Sequence, residues 1–186
     1  MDRRTTHLHD IVITQELILR TGRQANADAE RLGSLEISKQ ASFGRQAILQ
    51  AFCNLALTLC EAGSSGVSLL QADADGEYFS WEYLAGRFAP YTGGRAPRHH
   101  SPCGHCLERG SAQLYSHPDK FFEWLAEPNI PVVEGLVLPL YKQNGIPYGT
   151  IWIMSHDEAR TFDREDLRIM SVLGSHMSAA LRLHAA

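Results

Sequence analysis

Between Val132 and Tyr141 the chain is almost continuously apolar; it then reaches Asn144-Gly145 and turns apolar again from Tyr148 to Met154. A run of this kind is expected of a strand covered on both faces. Asn-Gly between two such runs is a strong signal for a tight hairpin. The pair therefore demands a sheet with material packed on each side. A second hairpin is expected earlier. Val67 to Gln71 is a short apolar run, Ala72 to Gly76 is an Asp-rich turn, and Tyr78 to Leu84 is its partner strand. At period two, Phe79, Trp81 and Tyr83 share one face of that strand.

Helical periodicity brackets these strands. From Arg45 to Glu61, Ile48, Phe52, Leu55 and Leu59 form one stripe, flanked by Leu49, Cys53, Ala56 and Cys60. Gly63-Ser64-Ser65-Gly66 is expected to stop that helix. Asp163 reads as the cap of a last helix, with Asp166 three residues on and Leu167, Met170, Leu173 and Met177 along one stripe. Near the start, Leu8, Ile11, Val12, Ile18 and Leu19 fall at helical spacing. The polar stretch from Arg23 to Lys39 is helical by propensity. The segment from Ala85 to Ser101 reads as a long loop, of the kind that is functional or mobile in compact domains. Ser101 then caps a short helix with Pro102 at its first position and Gly110 at its end. Gln113 to Ser116 is a brief strand, and His117-Pro118-Asp119 opens a helical segment through Leu125. Helices, two strands, a loop with a helix, one strand, two strands and a helix add up to an α+β fold with a largely antiparallel sheet.

Bulk properties narrow the function. A net charge of −4 and a pI near 6.1 argue against a nucleic-acid partner, which needs a clustered basic face. No stretch approaches the roughly 20 apolar residues that span a bilayer, and Met1 to Asp10 lacks the plan of a signal peptide. Four cysteines in 186 residues, without a secretory signal, read as reduced thiols in the cytoplasm. There is no Gly-rich phosphate loop, no G-x-S-x-G and no H-E-x-x-H. The chain is therefore read as having no activity of its own.

Cys103-Gly104-His105-Cys106 is the sharpest local chemistry. A C-x-x-C at a helix N-terminus favours the thiolate through the helix dipole. The same letters occur in thioredoxin-like disulfide isomerases, where Trp precedes them; here Pro102 does. A thiol redox sensor or oxidoreductase using Cys103 and Cys106 is accordingly the alternative reading. His99, His100, His105 and His117 lie close by in sequence, but no second spaced pair completes a zinc set, so no metal site is assigned. His156-Asp157-Glu158 follows a strand and reads as a solvated turn.

The run FCNLALTLCEAGSSGVSLL (52–70), Trp81-Glu82-Tyr83-Leu84-Ala85-Gly86 and Ser101-Pro102-Cys103-Gly104 resembles GAF domains at the front of bacterial sensor histidine kinases. The likeness continues through Tyr115-Ser116-His117-Pro118, Val133-Glu134-Gly135-Leu136, Gly149-Thr150-Ile151-Trp152, Ser155-His156-Asp157 and Phe162-Asp163. It spans roughly residues 45 to 185. It implies a PAS-like twisted antiparallel sheet, with helices on one face and a ligand pocket on the other, covered by a loop and a short helix. Residues 1–40 then form a helical extension and 41–186 the sensory domain. The resemblance implies a domain that binds a small molecule or relays a conformational signal, without naming the ligand, because one fold hosts many. A covalent bilin is not expected, since Gly104 and Leu107, rather than His, follow the two cysteines.

On that frame the pocket should lie between the sheet and residues 85–124. Candidate lining residues are Trp81, Tyr83, Phe88, Tyr91, Cys103, Cys106, Tyr115 and Trp124, with Arg87, Arg95 and Arg98 as charge for an anionic ligand. If the aromatics simply fill the space, Trp81 and Trp124 should touch and no cavity should remain. The expected partners are an unidentified small molecule, a kinase or other output domain, and a second copy joined through the terminal helices, with no membrane or nucleic acid. The identity of any cofactor stays open.

Overall fold

A computed structural model describes residues 6–184. Six strands form one antiparallel sheet: β1 (Ser64–Asp73), β2 (Gly76–Gly86), β3 (Arg95–Pro97), β4 (Gln113–Ser116), β5 (Glu134–Tyr141) and β6 (Pro147–Ser155), in the order β3-β2-β1-β6-β5-β4. The two hairpins read from sequence are β1–β2 and β5–β6. β1 and β6 lie side by side at the centre, with Val67 opposite Ile151. β1 starts at Ser64, not Val67, so the Gly-Ser segment after the helix is already strand. The loop expected from Ala85 to Ser101 is broken by a short turn at Ala89–Tyr91 and by β3.

The helices are α1 (Leu8–Ile11), α2 (Glu16–Leu19), α3 (Ala27–Gln40), α4 (Arg45–Leu59), α5 (Pro102–Arg109) and α6 (Arg164–His184). The apolar stripe of α4 buries Ile48, Leu49, Phe52, Cys53 and Ala56. These meet Val67, Leu69, Leu136, Ile151 and Ile153 from the sheet and Met170, Leu173 and Met177 from α6. α6 is capped as expected: the Asp163 carboxylate accepts from the backbone N–H of Glu165 and Asp166, and Asp166 accepts from that of Asp163. Such a cap is worth about 1 kcal/mol.

The opposite face carries a second core. Phe79, Trp81, Leu84, Val137, Trp152 and Met154 from the sheet meet Cys103, Cys106 and Leu107 of α5, with Phe122 and Leu125 behind. Gly66 makes this possible, since any side chain there would run into the Trp152 indole and Leu84.

Two expectations are corrected. Tyr83 does not share a face with Phe79 and Trp81. Val67 pairs with Tyr83 but Ser68 pairs with Trp81, leaving Glu82 as an extra residue in β2. That bulge reverses the alternation, so Tyr83 packs against the helix-side core while Leu84 takes the α5 side. The first segment, moreover, is not one helix with an open stripe. α1 and α2 are single turns separated by a stretch that bridges the sheet, Val12 to Tyr115. Ile13 N–H donates to Leu114 O at 2.8 Å, and Leu114 N–H donates to Thr14 Oγ1 at 3.1 Å. Ile11 and Leu17 are buried in the chain's own cores, while Ile18 and Leu19 are 81% and 71% exposed. The unpaired N–H and C=O groups of the edge strand β4 offered more than helix continuation did.

Candidate functional site

α5 sits on the second face because its ends are fixed locally. Ser101 Oγ accepts the Gly104 N–H at 3.0 Å, Pro102 occupies the first turn, and Gly110 closes the helix at φ +65°. Gly104 lies so close to the Arg98 carbonyl that a Cβ would collide with it. Its lack of a side chain lets the helix approach the preceding loop.

Beneath α5 lies a small polar cluster. Ser68 Oγ accepts the indole N–H of Trp152 at 2.9 Å and stands 3.8 Å from Cys103 Sγ. Thr150, opposite Ser68 on β6, is fully buried, and its hydroxyl has no hydrogen-bond partner among the described residues. Cys106 Sγ lies 3.4 Å from the carbonyl oxygens of Ser111 and Val137. Burial pushes both thiols up from their ordinary range, the reverse of what a reactive cysteine needs. Cys53 and Cys60 are buried and free as well.

Tyr115 supports α5 from below. Its hydroxyl donates to Pro102 O at 3.0 Å, and so accepts from His105 Nδ1 at 2.9 Å. Desolvation raises the phenol and lowers the His105 imidazole, which keeps both neutral.

The remaining candidates close the face over. The Trp124 indole lies 6.0 Å from that of Trp81, tilted by 38°, and its N–H donates to His100 O at 2.8 Å. Phe88 is buried edge-on to Trp152 and stacks on His156. Tyr91 is partly exposed and touches Phe88. Trp81, Phe88, Cys103, Cys106 and Tyr115 thus belong to one packed cluster with Trp124 at its margin, while Tyr83 lies across the sheet. Of the three candidate arginines Arg87 is exposed, while Arg95 and Arg98 are occupied. Arg95 pairs with Asp73 at 2.9 Å and covers Tyr78; Arg98 lies near Glu77 and Glu108 and donates to Gly104 O. His99, His100 and His117 each meet a different glutamate: Glu108, Glu123 and Glu158. No three potential metal ligands converge among the described residues.

Sequence reading missed Ser68, Thr150 and Trp152. The signal was present: Ser68 and Thr150 are polar positions inside otherwise apolar strands, and a buried hydroxyl needs a partner.

A second buried polar site ties the N-terminal segment to the start of β5 and the head of α6. Arg20 donates to both Glu134 oxygens, at 2.7 and 3.0 Å, and to Phe162 O at 2.7 Å, while Phe162 N–H donates to Glu134 at 2.8 Å. Arg23 donates from its backbone to Asp163 and from its guanidinium to Asp166 and Leu59 O. Arg160 also reaches Asp166, at 2.7 Å.

With this geometry in view, comparison with known families is decisive. The family profile described as GAF domain matches residues 44–182. The chain belongs to the GAF domain family. GAF domains are sensory and ligand-binding domains of signalling proteins. Among solved structures, the GAF domain of an Acinetobacter phosphoenolpyruvate-protein phosphotransferase superposes with a TM-score of 0.68 at 14% identity, covering 88% of this chain and 98% of that one. A free methionine-R-sulfoxide reductase from Neisseria meningitidis, in complex with its substrate, gives 0.67 at 16% identity, covering 89% and 97%. The GAF-B domain of DevS from Mycobacterium smegmatis gives 0.60 at 20%, covering 76% and 95%. At these identities the likeness to solved structures is one of fold. A search of curated protein sequences gives no match. No helix among the described residues is long and apolar enough to cross a membrane.

Proposed function

We propose that this GAF domain serves bacterial signal transduction as a relay, passing a conformational signal between its two ends. The observation that carries the reading is the Arg20 clamp. One guanidinium from the N-terminal segment holds both Glu134 at the start of β5 and Phe162 O just before α6. That segment also bridges β4, whose Tyr115 supports α5. A displacement of α5 therefore has a contiguous path to α6 through packed groups and hydrogen bonds, as coupling requires.

Capture of a small molecule in a preformed pocket is the less favoured form, because Trp124 rests on Trp81 and aromatic side chains fill the face beneath α5. The thiol alternative is weakened by the burial of Cys103 and Cys106 and the rise in their pKa. Output would pass through α6 to a kinase or other effector in the cytoplasm, a compartment that suits four free cysteines. Pairing of two chains fits the helical side, where Leu32, Leu35 and Phe43 are exposed. Residues 6–40 act in this scheme as a strap and not as a separate unit.

The test is hydrogen exchange on the full chain carrying Glu134→Gln. A relay predicts faster exchange together in residues 8–20, in β4 and in the first turn of α6. Faster exchange confined to β5 would end the relay reading, and a small molecule co-purifying in native mass spectrometry would replace it with ligand capture.

A further inference from the structure

The helix side of the sheet holds a hollow that the relay does not use. It lies where the start of α4, the end of α6 and the β5–β6 turn meet, with a volume of about 570 Å³. Leu69, Tyr148 and Leu181 give it an apolar floor, and Arg45, Lys142 and Arg182 stand around it. None of its lining residues is Asp or Glu, in a chain with 21 acidic and 17 basic residues. Arg45 meets Glu82 at 3.4 Å, but Lys142 and Arg182 make no ion pair among the described residues. Tyr148 and Ser178 hydroxyls, 2.9 Å apart, add hydrogen-bonding capacity beside them. A second hollow of about 450 Å³ continues along α6 against β5, sharing Tyr141, Ser178 and Arg182 with the first.

We infer that this trench is a binding site for an amphipathic carboxylate, whose apolar chain lies along α6 and whose anionic head meets Lys142 and Arg182. Solvated lysines and arginines commonly spread their stems over apolar surface. Lys142 and Arg182, two cations without a carboxylate partner beside one apolar hollow, make instead a local positive potential, complementary to an anion with an apolar body. An added peptide strand fits less well. Pairing of β4 with β5 ends at Gln113–Val137, so β5 has an open edge beyond, but Pro139 sits in that edge. A proline lacks the N–H that a new strand would need and blunts such edges.

Isothermal titration of the purified full chain with decanoate tests the site, with acetate supplying the charge alone and decanol the chain alone. Decanoate should bind saturably, and neither control should match it at equal concentration. The double variant Lys142→Gln/Arg182→Gln should bind decanoate about tenfold more weakly while melting like the parent, because only the charge-assisted contacts are lost. Equal binding of decanoate by the double variant, or equal binding of decanol by the parent, overturns the proposal. So does capture of the chain on phosphatidylglycerol vesicles without decanoate binding, which would make the trench a membrane contact. A dimer dissolved by the double variant, again without decanoate binding, would make it a contact between copies and likewise overturn the inference.

Discussion

The indole of Trp124 lies against that of Trp81 with its N–H held by the His100 carbonyl, so a residue from the loop after β4 closes the face beneath α5. Trp124 is half-buried, and Phe122 and Leu125 beside it are fully buried. The contact is a latch at the margin of the second core, with deeper anchors on either side.

Trp124→Ala should open that margin without unfolding the domain. The expected loss is about 2–3 kcal/mol in urea denaturation, at or below the range for a fully buried aromatic. The variant should bind an apolar fluorescent dye that the parent does not. A stable variant that excludes the dye would mean that the neighbouring loop collapses into the gap.

Gly104→Ala should cost roughly 1–3 kcal/mol, the usual range for overpacking, because its methyl would meet the Arg98 carbonyl, a backbone atom that cannot swing aside. Far-UV circular dichroism with thermal melting would read it. An unchanged melting temperature would show that α5 can lift from the loop at little cost.

Cys103 and Cys106 should label slowly in the folded chain and at the usual rate in urea. Burial raises both thiols, so the folded state keeps protons that the unfolded state releases above about pH 8.5. Stability is then fully present below that pH and falls as pH rises beyond it. Chemical denaturation at a series of pH values, for the parent and for Cys103→Ala/Cys106→Ala, would show a smaller alkaline decline in the variant. Rapid labelling of either cysteine at neutral pH would restore the redox reading.

At the acid end, His105 and His156 should matter. Desolvation lowers both imidazoles, so the unfolded chain takes up protons that the folded chain refuses. Stability is present above about pH 6.5 and declines as pH falls below it. His156 also accepts from Ser64 Oγ through Nε2 at 2.7 Å while its Nδ1–H donates to Pro131 O, an arrangement that needs the neutral ring. His156→Asn should flatten the pH profile between about 5 and 6.5; an unaltered profile would place the acid sensitivity elsewhere.

Legibility followed the range of the interactions. Ser101, Pro102 and Gly110 marked α5, Asp163 and Asp166 marked the head of α6, and Asn144-Gly145 marked the β5–β6 turn, because each of these signals acts within a few residues of itself. The stripe Ile48-Phe52 and the run Val132–Tyr141 were equally plain, since burial on one side or on both leaves a period in the sequence. From such signals the order of elements and the two-sided sheet could be derived.

Other features had no local signature. Whether Tyr83 faces the helices or α5 depends on one unpaired residue, Glu82, and a bulge is chosen by the register of β1 against β2 and β6. Whether residues 8–19 continue as a helix depends on the open edge of β4, nearly 100 residues away, which recruits Val12 and Ile13. The aromatic residues read from sequence as pocket lining are the ones that pack the second face, and only their mutual distances separate a lined pocket from a filled one. The sequence by itself determined most of the elements and the chemistry available on each. The tertiary structure decided which face each side chain met, because strand pairing and edge capture are contacts between segments far apart in the chain.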